Sequence, residues 1–300
     1  MRSVGPSIED VIAAIPAWAG RDVTSAPISG GLTNLNYRVE AEGVPYFVRI
    51  PGSGTDLLAV DRANELHNTR AGVGARVLHH LPAWDVIVLE WLEAATMSNA
   101  AFQQAGVPAR ISDVLRRLHA GPRFRDDFDM VVLSRRYLGV IDERGIAVPA
   151  GYREHLGAVA RIDLALRAHP QPTVPCHNDL LAENYLDDGE RLWIVDYEYS
   201  GNNDPSFELG NTAQELGFDD LRLHELVAAY FGEATPQLVA RCRLQTIMSD
   251  VGWSLWAAIQ ARISTIDFDF WGMAAGRWTR AQAKVDGPDF EAWLQDAAAG

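Results

Sequence analysis

The chain has 300 residues, 48% hydrophobic and 22% charged, which is the composition of a soluble globular protein with one large domain or two smaller lobes. Lys and Arg number 26 against 40 Asp and Glu. The resulting net charge of −14 argues against a general binder of nucleic acids or anionic membranes, because both need basic surfaces. The two cysteines, Cys176 and Cys242, are far apart, which argues against a disulfide framework or a cysteine-based zinc site.

The N-terminal segment predicts an amphipathic helix. Ser7 is a suitable N-cap residue, and Glu9 and Asp10 interrupt the short apolar stretch, which is not the pattern of a signal peptide. No uninterrupted apolar run in the sequence approaches the length of a membrane span. We therefore expect a cytoplasmic protein that does not insert into membranes.

Strand-like segments follow, up to about residue 95. They are rich in β-branched and aromatic residues, and a short turn at Glu42-Gly43 joins the first two into a predicted hairpin. A helical pattern lies before the third strand and ends at Gly72. The predicted strands cover residues 37–41, 45–50 and 85–92, and the predicted helix covers residues 56–72.

Helical periodicity dominates after residue 95. In the segment 109–121 the apolar positions recur at helical spacing, and Gly121 follows the last of them. Two short strands joined by a turn at Asp188-Gly189 are the exception. The predicted strands cover residues 184–187 and 191–198, and a long helix is predicted over residues 243–264.

These patterns predict an α+β protein with two lobes. A small antiparallel-sheet N-lobe would cover residues 1–93 and a larger helical C-lobe residues 94–300, with a hinge near residues 90–95. A cleft between two such lobes is a usual place for a small-molecule ligand. The sequence leaves the oligomeric state open.

The stretch "VPCHNDLLAENYL", residues 174–186, carries the strongest chemical signal. Asp179 is followed five positions later by Asn184, and Asp196 ends an apolar strand-like segment downstream. Protein kinases use this arrangement: the first Asp accepts the proton of the attacking hydroxyl, while the Asn and the second Asp hold magnesium. Hard oxygen ligands suit Mg²⁺, and a carboxylate free of the metal can act as a base. The alternative is an Asx-turn at Asp179 and a strand-end cap at Asp196.

A glycine-containing stretch ahead of the first hairpin strand predicts phosphate binding. Small residues let backbone N–H groups approach phosphate oxygens, although two glycines before a strand also occur in simple turns. Arg49 would place a cation against the phosphates, where kinases normally have Lys, and Glu65 could pair with it. The alternative for Arg49 is an exposed side chain on an edge strand, and the alternative for Glu65 is a solvated charge on the helix surface. The candidate nucleotide-binding residues are Ser29, Gly30, Gly31, Thr33, Asn34, Arg49 and Glu65.

Tryptophans are concentrated in residues 251–278. Trp253 and Trp256 are three positions apart and share one face of the predicted helix, and Trp278 follows further on. One interpretation is a helix buried through its large aromatic side chains. The other is an aromatic wall for an alkylammonium group, which is attracted to ring faces.

The segments "HNDLLAEN", "LWIVDYEYSGNNDPSFELGN" and "WSLWAAIQARISTIDFDF" together resemble the choline/ethanolamine kinase family, within the aminoglycoside-phosphotransferase-like kinases. "GGLTNLNYRV" and "FVRIPG" are similar to the N-lobe of that family, including its Arg in place of Lys. The resemblance covers about residues 25 to 280. It implies a protein-kinase-like fold, ATP and Mg²⁺ as cofactors, and a small amino alcohol as the molecule bound.

The resemblance also implies roles for individual residues. Asp179 would be the catalytic base, and His177 would support it by bracing the loop. Asn184 and Asp196 would bind Mg²⁺, while Arg49 and the 29–34 loop would hold the nucleotide. The candidate substrate-binding residues are Glu198, Phe218, Trp253, Trp256 and Trp278.

The implied activity is transfer of the ATP γ-phosphoryl group to the hydroxyl of choline, or of ethanolamine. Glu208 departs from the family, which usually has Asp there, and the C-terminal region lacks an evident counterpart of a Tyr that closes the cage in some choline kinases. Two alternatives stay open. The fold could serve an aminoglycoside, thiamine or another amino alcohol, or it could be a non-catalytic binding protein for a nucleotide or an amine.

Overall fold

The computed structural model describes residues 5–28, 31–52, 54–55 and 57–299. The strands are β1 Val23–Ile28, β2 Leu35–Ala41, β3 Val44–Ile50, β4 Val77–Leu81, β5 Val86–Glu90, β6 Ala95–Thr96, β7 Val174–Cys176, β8 Tyr185–Asp187, β9 Leu192–Ile194 and β10 Gly201–Asn203. The helices are α1 Ile8–Ala14, α2 Arg62–Ala71, α3 Asn99–Phe102, α4 Val107–His119, α5 Met130–Arg144, α6 Leu156–Ala168, α7 Pro205–Glu215, α8 Asp220–Phe231, α9 Pro236–Ile263, α10 Phe270–Val285 and α11 Phe290–Ala298.

The N-terminal half is built on an antiparallel sheet with the strand order β1-β2-β3-β5-β4. The predicted hairpin is confirmed, because β2 and β3 pair along their whole length. Glu42 and Gly43 form its turn with φ angles of 52° and 77°, as a tight hairpin turn requires. Val39 and Val48 point from these strands into a core that also contains Val11 of α1. Burial of this apolar face holds α1 on the sheet.

Two strands of this sheet were not predicted from the sequence. β1 has an exposed or half-buried face throughout and contains Pro27, so it lacks the alternating pattern of a half-buried strand. β4 is short and carries His79 and His80. The helix predicted over 56–72 begins only at Arg62, because Asp61 caps it by accepting the backbone N–H groups of Ala63 and Asn64.

The C-terminal half is helical and surrounds α9. The prediction of a long helix over 243–264 is confirmed, but α9 begins earlier, at Pro236, after its N-cap residue Thr235. Pro at a first helical position fits, since its missing N–H would have no partner there. Most of the helix from Val239 to Gln260 is buried all round, because α10, α7, α5 and α11 pack against it. The two predicted short strands appear as the hairpin of β8 and β9, but β9 ends at Ile194 and not at residue 198, and Asp196, with a φ of 71°, lies outside the strand.

The segment between β3 and α2 belongs to the N-terminal half but packs against the helical half. Its Leu58 is buried in the apolar core of the helical half, and the Tyr137 hydroxyl on α5 donates to the Leu58 carbonyl at 2.9 Å. The expectation of an α+β fold with a sheet lobe and a larger helical lobe is confirmed, whereas the exact boundary between residues 93 and 94 stays a prediction. Within the described ranges, no helix combines the length and apolarity needed to cross a membrane.

Candidate active site

The loop after β7 is fixed from behind by a carboxylate. Glu208 on α7 is fully buried and accepts the backbone N–H groups of His177 and Asn178, one on each oxygen and both at 2.7 Å. Asn178 has a φ of 69°, a conformation that Asn tolerates better than most residues. Its side-chain amide donates to the carbonyls of Tyr199 and Gly201. These hydrogen bonds hold the backbone of the loop at His177 and Asn178.

His177 supports this loop through both of its ring nitrogens. Nε2 lies 2.9 Å from the Val195 carbonyl and must donate to it, so Nδ1 accepts the N–H of Asp179 at 3.3 Å. Complete burial lowers the pKa of His177, despite the nearby Glu208. The ring is therefore neutral near pH 7 and links the loop to the end of β9.

The carboxylate of Asp179 lies in a region rich in negative charge. Burial raises the pKa of Asp179 well above its usual range, and the charges of Glu215 and Asp196 act in the same direction. Arg277 on α10 opposes them. It also holds Glu215 in a bidentate ion pair with N–O distances of 2.5 and 2.9 Å. Asp179 therefore has a high proton affinity, and Arg277 is the nearby cation that favours its ionised form.

Asn184 and Asp196 present oxygen atoms to the cleft between the lobes. The Asn184 amide nitrogen donates to the Asp179 carbonyl at 2.7 Å, which leaves its Oδ1 without a hydrogen bond within the described part of the chain. Asp196 has a φ of 71°, and 40% of its side chain is exposed. Hard oxygen atoms in this setting are the ligands that Mg²⁺ prefers. The two residues could therefore hold this ion.

The interlobe cleft has a volume of about 290 Å³ and a mixed lining. Its apolar part comes from the sheet and from β8, and its polar part from Asn184, Asp196 and Arg49. A cavity that is apolar on one side and polar on the other suits a ligand with a flat apolar part and a charged end. The lining residues include Ile28, Gly31, Asn36, Phe47, Arg49, Ala75, Leu89, Glu90, Trp91, Leu92, Asn184, Leu186, Val195 and Asp196.

Arg49 is the centre of a buried charge cluster. Its Nη2 contacts Asp196 Oδ1 at 2.6 Å, Glu65 Oε1 at 2.9 Å and Glu198 Oε2 at 3.0 Å. Burial opposes ionisation of Glu198, but Arg49 and Arg62 outweigh it and lower the pKa of Glu198. The predicted pairing of Arg49 with Glu65 is present in the structure, and a contact to Asp196 across the cleft accompanies it.

Arg62 also belongs to this charge cluster, although it was not predicted from the sequence as a site residue. As the first residue of α2, it contacts Glu65 Oε2 at 2.6 Å and Glu198 Oε2 at 3.1 Å, and its Nη2 donates to Asn34 Oδ1 at 3.0 Å. Its spacing of three positions before Glu65 was the available signal, because such pairs are neighbours on a helix. The position of Glu198 could not be inferred that way.

The predicted phosphate loop is described only in part. Ser29 and Gly30 lie outside the described residues. Gly31 lines the cleft, and a Cβ atom there would come within 2.7 Å of the Asn34 carbonyl, so this position requires glycine. Asn34 is buried and donates to Glu198 Oε2 at 2.6 Å, while Thr33 is half-buried beside it.

Trp253 and Trp256 form an aromatic cluster with Tyr199. The ring centroids of Trp253 and Tyr199 are 4.9 Å apart in an edge-to-face arrangement, and Trp256 Nε1 donates to the Tyr199 hydroxyl at 2.7 Å. Both tryptophans are nearly buried, with 3% and 6% of their surfaces exposed. The Asn178 side-chain amide donates to the Tyr199 carbonyl at 3.1 Å, which places this cluster next to the loop that carries Asp179.

The structure does not bring Trp278 and Phe218 into this cluster. Trp278 Nε1 donates to the Ala150 carbonyl, and its ring packs against Tyr152 and His155. Phe218 follows α7 and lies under the Arg222 guanidinium, in a different apolar core. Both side chains therefore take part in packing between helices and loops, and their predicted roles in substrate binding stay predictions.

Comparison with known proteins agrees with this geometry. Residues 24–243 match the model of the phosphotransferase enzyme family. A solved choline/ethanolamine kinase family protein from Mesorhizobium loti is 38% identical, with a TM-score of 0.84 over 96% of this chain and 97% of that one. The chain belongs to the phosphotransferase enzyme family and, within it, to the choline/ethanolamine kinases. It is therefore a kinase that acts on an alcohol acceptor.

Curated relatives of this kinase carry two kinds of name. Protein LicA of Haemophilus influenzae is 28% identical over 79% of this chain and 74% of its own length. Ethanolamine kinase 2 of Rattus norvegicus is 27% identical over 88% of this chain and 77% of its own length. The comparisons thus agree on the family of the kinase and leave its acceptor to be argued from the site.

Proposed function

We propose that this kinase transfers the γ-phosphoryl group of ATP to the hydroxyl of choline, with ethanolamine as the second candidate. The observation that carries the proposal is that the Asn184 amide joins the loop of Asp179 to a cleft that also contains Asp196 and Arg49. A base, two oxygen ligands and a phosphate-binding cation are the groups that phosphoryl transfer needs.

The nucleotide would occupy the interlobe cleft. Its base would lie between apolar side chains of the sheet and of β8, namely Phe47, Leu89 and Leu186. Its phosphates would lie against Arg49 and the glycine-containing loop at Gly31. Glu65 and Arg62 would then fix the position of Arg49 from the side of α2.

Asn184 and Asp196 would hold Mg²⁺, which, when bound, neutralises charge on the phosphates. Asp179 would accept the proton of the acceptor hydroxyl. Its raised pKa makes it a stronger base once it is ionised, and Arg277 favours that ionised form. His177 would be a positioning residue, because both of its ring nitrogens are engaged by backbone groups.

The acceptor pocket would lie at the aromatic cluster of Tyr199, Trp253 and Trp256. Ring faces attract a quaternary ammonium without needing any hydrogen bond from it. A primary ammonium needs acceptor oxygens, but the acidic side chains near Asp179 are already paired: Arg277 holds Glu215, and Arg49 holds Asp196 and Glu198. This pairing favours choline. The relatives named ethanolamine kinase are the observation that keeps ethanolamine as second candidate.

Comparative kinetics with Mg-ATP would test the proposal. We expect kcat/KM for choline to exceed that for ethanolamine, and both to exceed the value for an aminoglycoside. A preference for ethanolamine would reverse the order of the two candidates. Absence of ATP consumption with any amino alcohol would overturn the proposed acceptor class.

A further inference from the structure

The chain contains a single lysine, Lys284 near the end of α10, beside 25 arginines. Arginine stays protonated and is a poor nucleophile, whereas lysine becomes nucleophilic when it loses its proton. Any chemistry that requires a side-chain amine is therefore confined to this one position. The surroundings of Lys284 determine whether that amine is reactive.

Uncharged groups hold the Lys284 amine. Its Nζ donates to Gln214 Oε1 on α7 and to Thr246 Oγ1 on α9, the latter at 2.7 Å. No carboxylate oxygen lies within 4.0 Å of Nζ among the residues that the structure describes. The Thr246 hydroxyl proton is already donated to the Arg243 carbonyl, so its oxygen can only accept from Lys284. The two hydrogen-bond partners of Lys284, Gln214 and Thr246, are both uncharged, so neither forms an ion pair with the ammonium.

A second cation on the same helix face disfavours the charged form further. Arg280 lies four residues before Lys284, a spacing at which like charges repel. Asp250 and Asp220 compensate in part, but Arg280 holds Asp250 at 2.6 Å and Arg243 holds Asp220 at 3.2 Å. Burial, together with Arg280, lowers the pKa of Lys284 to about 8. The side chain is nevertheless only half-buried, so a small reagent can reach it.

We propose that Lys284 is an acylation site for small acyl donors such as acyl phosphates. The neutral amine attacks the carbonyl carbon, a C–N bond forms, and the C–O bond to phosphate breaks. Inorganic phosphate leaves with the electron pair, and the proton lost from nitrogen passes to solvent. The product is an amide without charge.

The site is coupled to the catalytic region through α7. Gln214, which accepts from Lys284, directly precedes Glu215, and Glu215 is held by Arg277. Acylation removes the ammonium and adds bulk between α7, α9 and α10 at this point. It is therefore expected to shift the Glu215–Arg277 pair next to Asp179 and, through it, to weaken binding of the acceptor hydroxyl at Asp179. This consequence for activity depends on the proposed function, whereas the reactivity of Lys284 does not.

Acetyl phosphate provides a direct test of the reactivity. The full-length protein is treated at pH 8, and acetylation of Lys284 is followed by peptide mapping, which separates it from the N-terminal amine. We expect Lys284 in the native protein to react about tenfold faster than the same residue in protein unfolded by urea, because its neutral fraction is larger. Equal rates in the two states would overturn the proposal.

A variant tests the role of the uncharged partners. Gln214→Glu keeps the shape of the side chain but supplies a carboxylate to Lys284, which should reduce the acetylation rate at least tenfold. Gln104→Glu, at an exposed position elsewhere, is the matched control and should leave the rate unchanged. An unchanged rate in Gln214→Glu would contradict the proposed cause of reactivity.

The effect on catalysis is measured separately. Acetylation of the wild type should raise the KM for the acceptor several-fold, and the same treatment of Lys284→Arg should have no such effect. A fast acetylation without any change in KM would refute the coupling to Glu215 while leaving the modification site intact. If the untreated wild type shows no turnover with any amino alcohol, the proposed function fails, and the acetylation result stands by itself.

Discussion

Arg49 Nη2 lies 2.6 Å from Asp196 Oδ1, so the cation on strand β3 directly contacts the proposed metal ligand at the end of β9. The same nitrogen also contacts Glu65 and Glu198, both of which are almost fully buried. A buried carboxylate without a partner is costly. Arg49 therefore contributes to the stability of the fold as well as to the proposed nucleotide site.

This double role predicts the effect of replacing Arg49. Arg49→Met should lower the free energy of unfolding by about 3 kcal/mol, because it leaves buried carboxylates short of a cation. Arg49→Lys should keep most of the stability and part of the turnover. The matched control is Arg38→Met on the neighbouring strand, whose partner Glu40 is exposed and whose loss should cost less than about 1 kcal/mol. Equal destabilisation by both Met variants in urea unfolding would argue against the role of Arg49.

Asp179→Asn should separate activity from stability. We expect turnover to fall by about three orders of magnitude, because the general base is lost. Since the folded-state pKa of Asp179 is raised, the carboxyl favours folding below its unfolded pKa and loses this contribution as the pH rises through the folded pKa. The variant should therefore unfold at a higher temperature than the wild type at pH 8, with a smaller difference at pH 4. An active Asp179→Asn enzyme would contradict its assignment as base.

Glu208→Gln tests whether Glu208 supports the loop that carries the proposed base Asp179. The substitution keeps the size of the side chain but turns an amide NH₂ toward one of the two backbone N–H groups, those of His177 and Asn178. We expect kcat to fall about tenfold or more, since one charge-assisted hydrogen bond is replaced by a repulsive contact. The KM for ATP should change little. Glu225→Gln, exposed on α8, is the control, and equal kcat values for the two variants would show that the loop does not need Glu208.

Trp253→Leu tests the proposed acceptor pocket. Loss of a ring face that attracts an ammonium is worth about 1–2 kcal/mol, so the KM for choline should rise about tenfold. The KM for ATP should stay within a factor of two or so. Trp271→Leu, at an exposed position on α10, is the matched control. An unchanged KM for choline would assign Trp253 to the packing of α9 alone.

Local spacing made much of the proposed catalytic centre predictable. Asp179 and Asn184 belong to one loop, and Asp196 follows on the next hairpin, so a short stretch of sequence contains the whole pattern. The hairpin of β2 and β3 was predictable for the same reason, because its turn and its strands are contiguous. Strand β1 was not, since its side chains are mostly exposed and give no alternation.

Contacts between distant segments were beyond prediction from one sequence. Arg62 and Glu198 are 136 positions apart, and only the packing of α2 against the segment after β9 brings them together. The same holds for Arg277 and Glu215, which meet because α10 and α7 both pack on α9. Trp278 is the reverse case: it directly follows Arg277 in the sequence, but its ring lies at Ala150 and not at the loop of Asp179.

Leu58 belongs to the segment after β3 yet is buried in the helical core, where its carbonyl accepts from Tyr137. Separating the lobes would expose this side chain to water and leave the Tyr137 hydroxyl without its acceptor. Heat should therefore melt the sheet and the helices together, in a single calorimetric transition. If the lobes move apart at the predicted hinge near residues 90–95, the segment around Leu58 is a second point of attachment that this movement must accommodate.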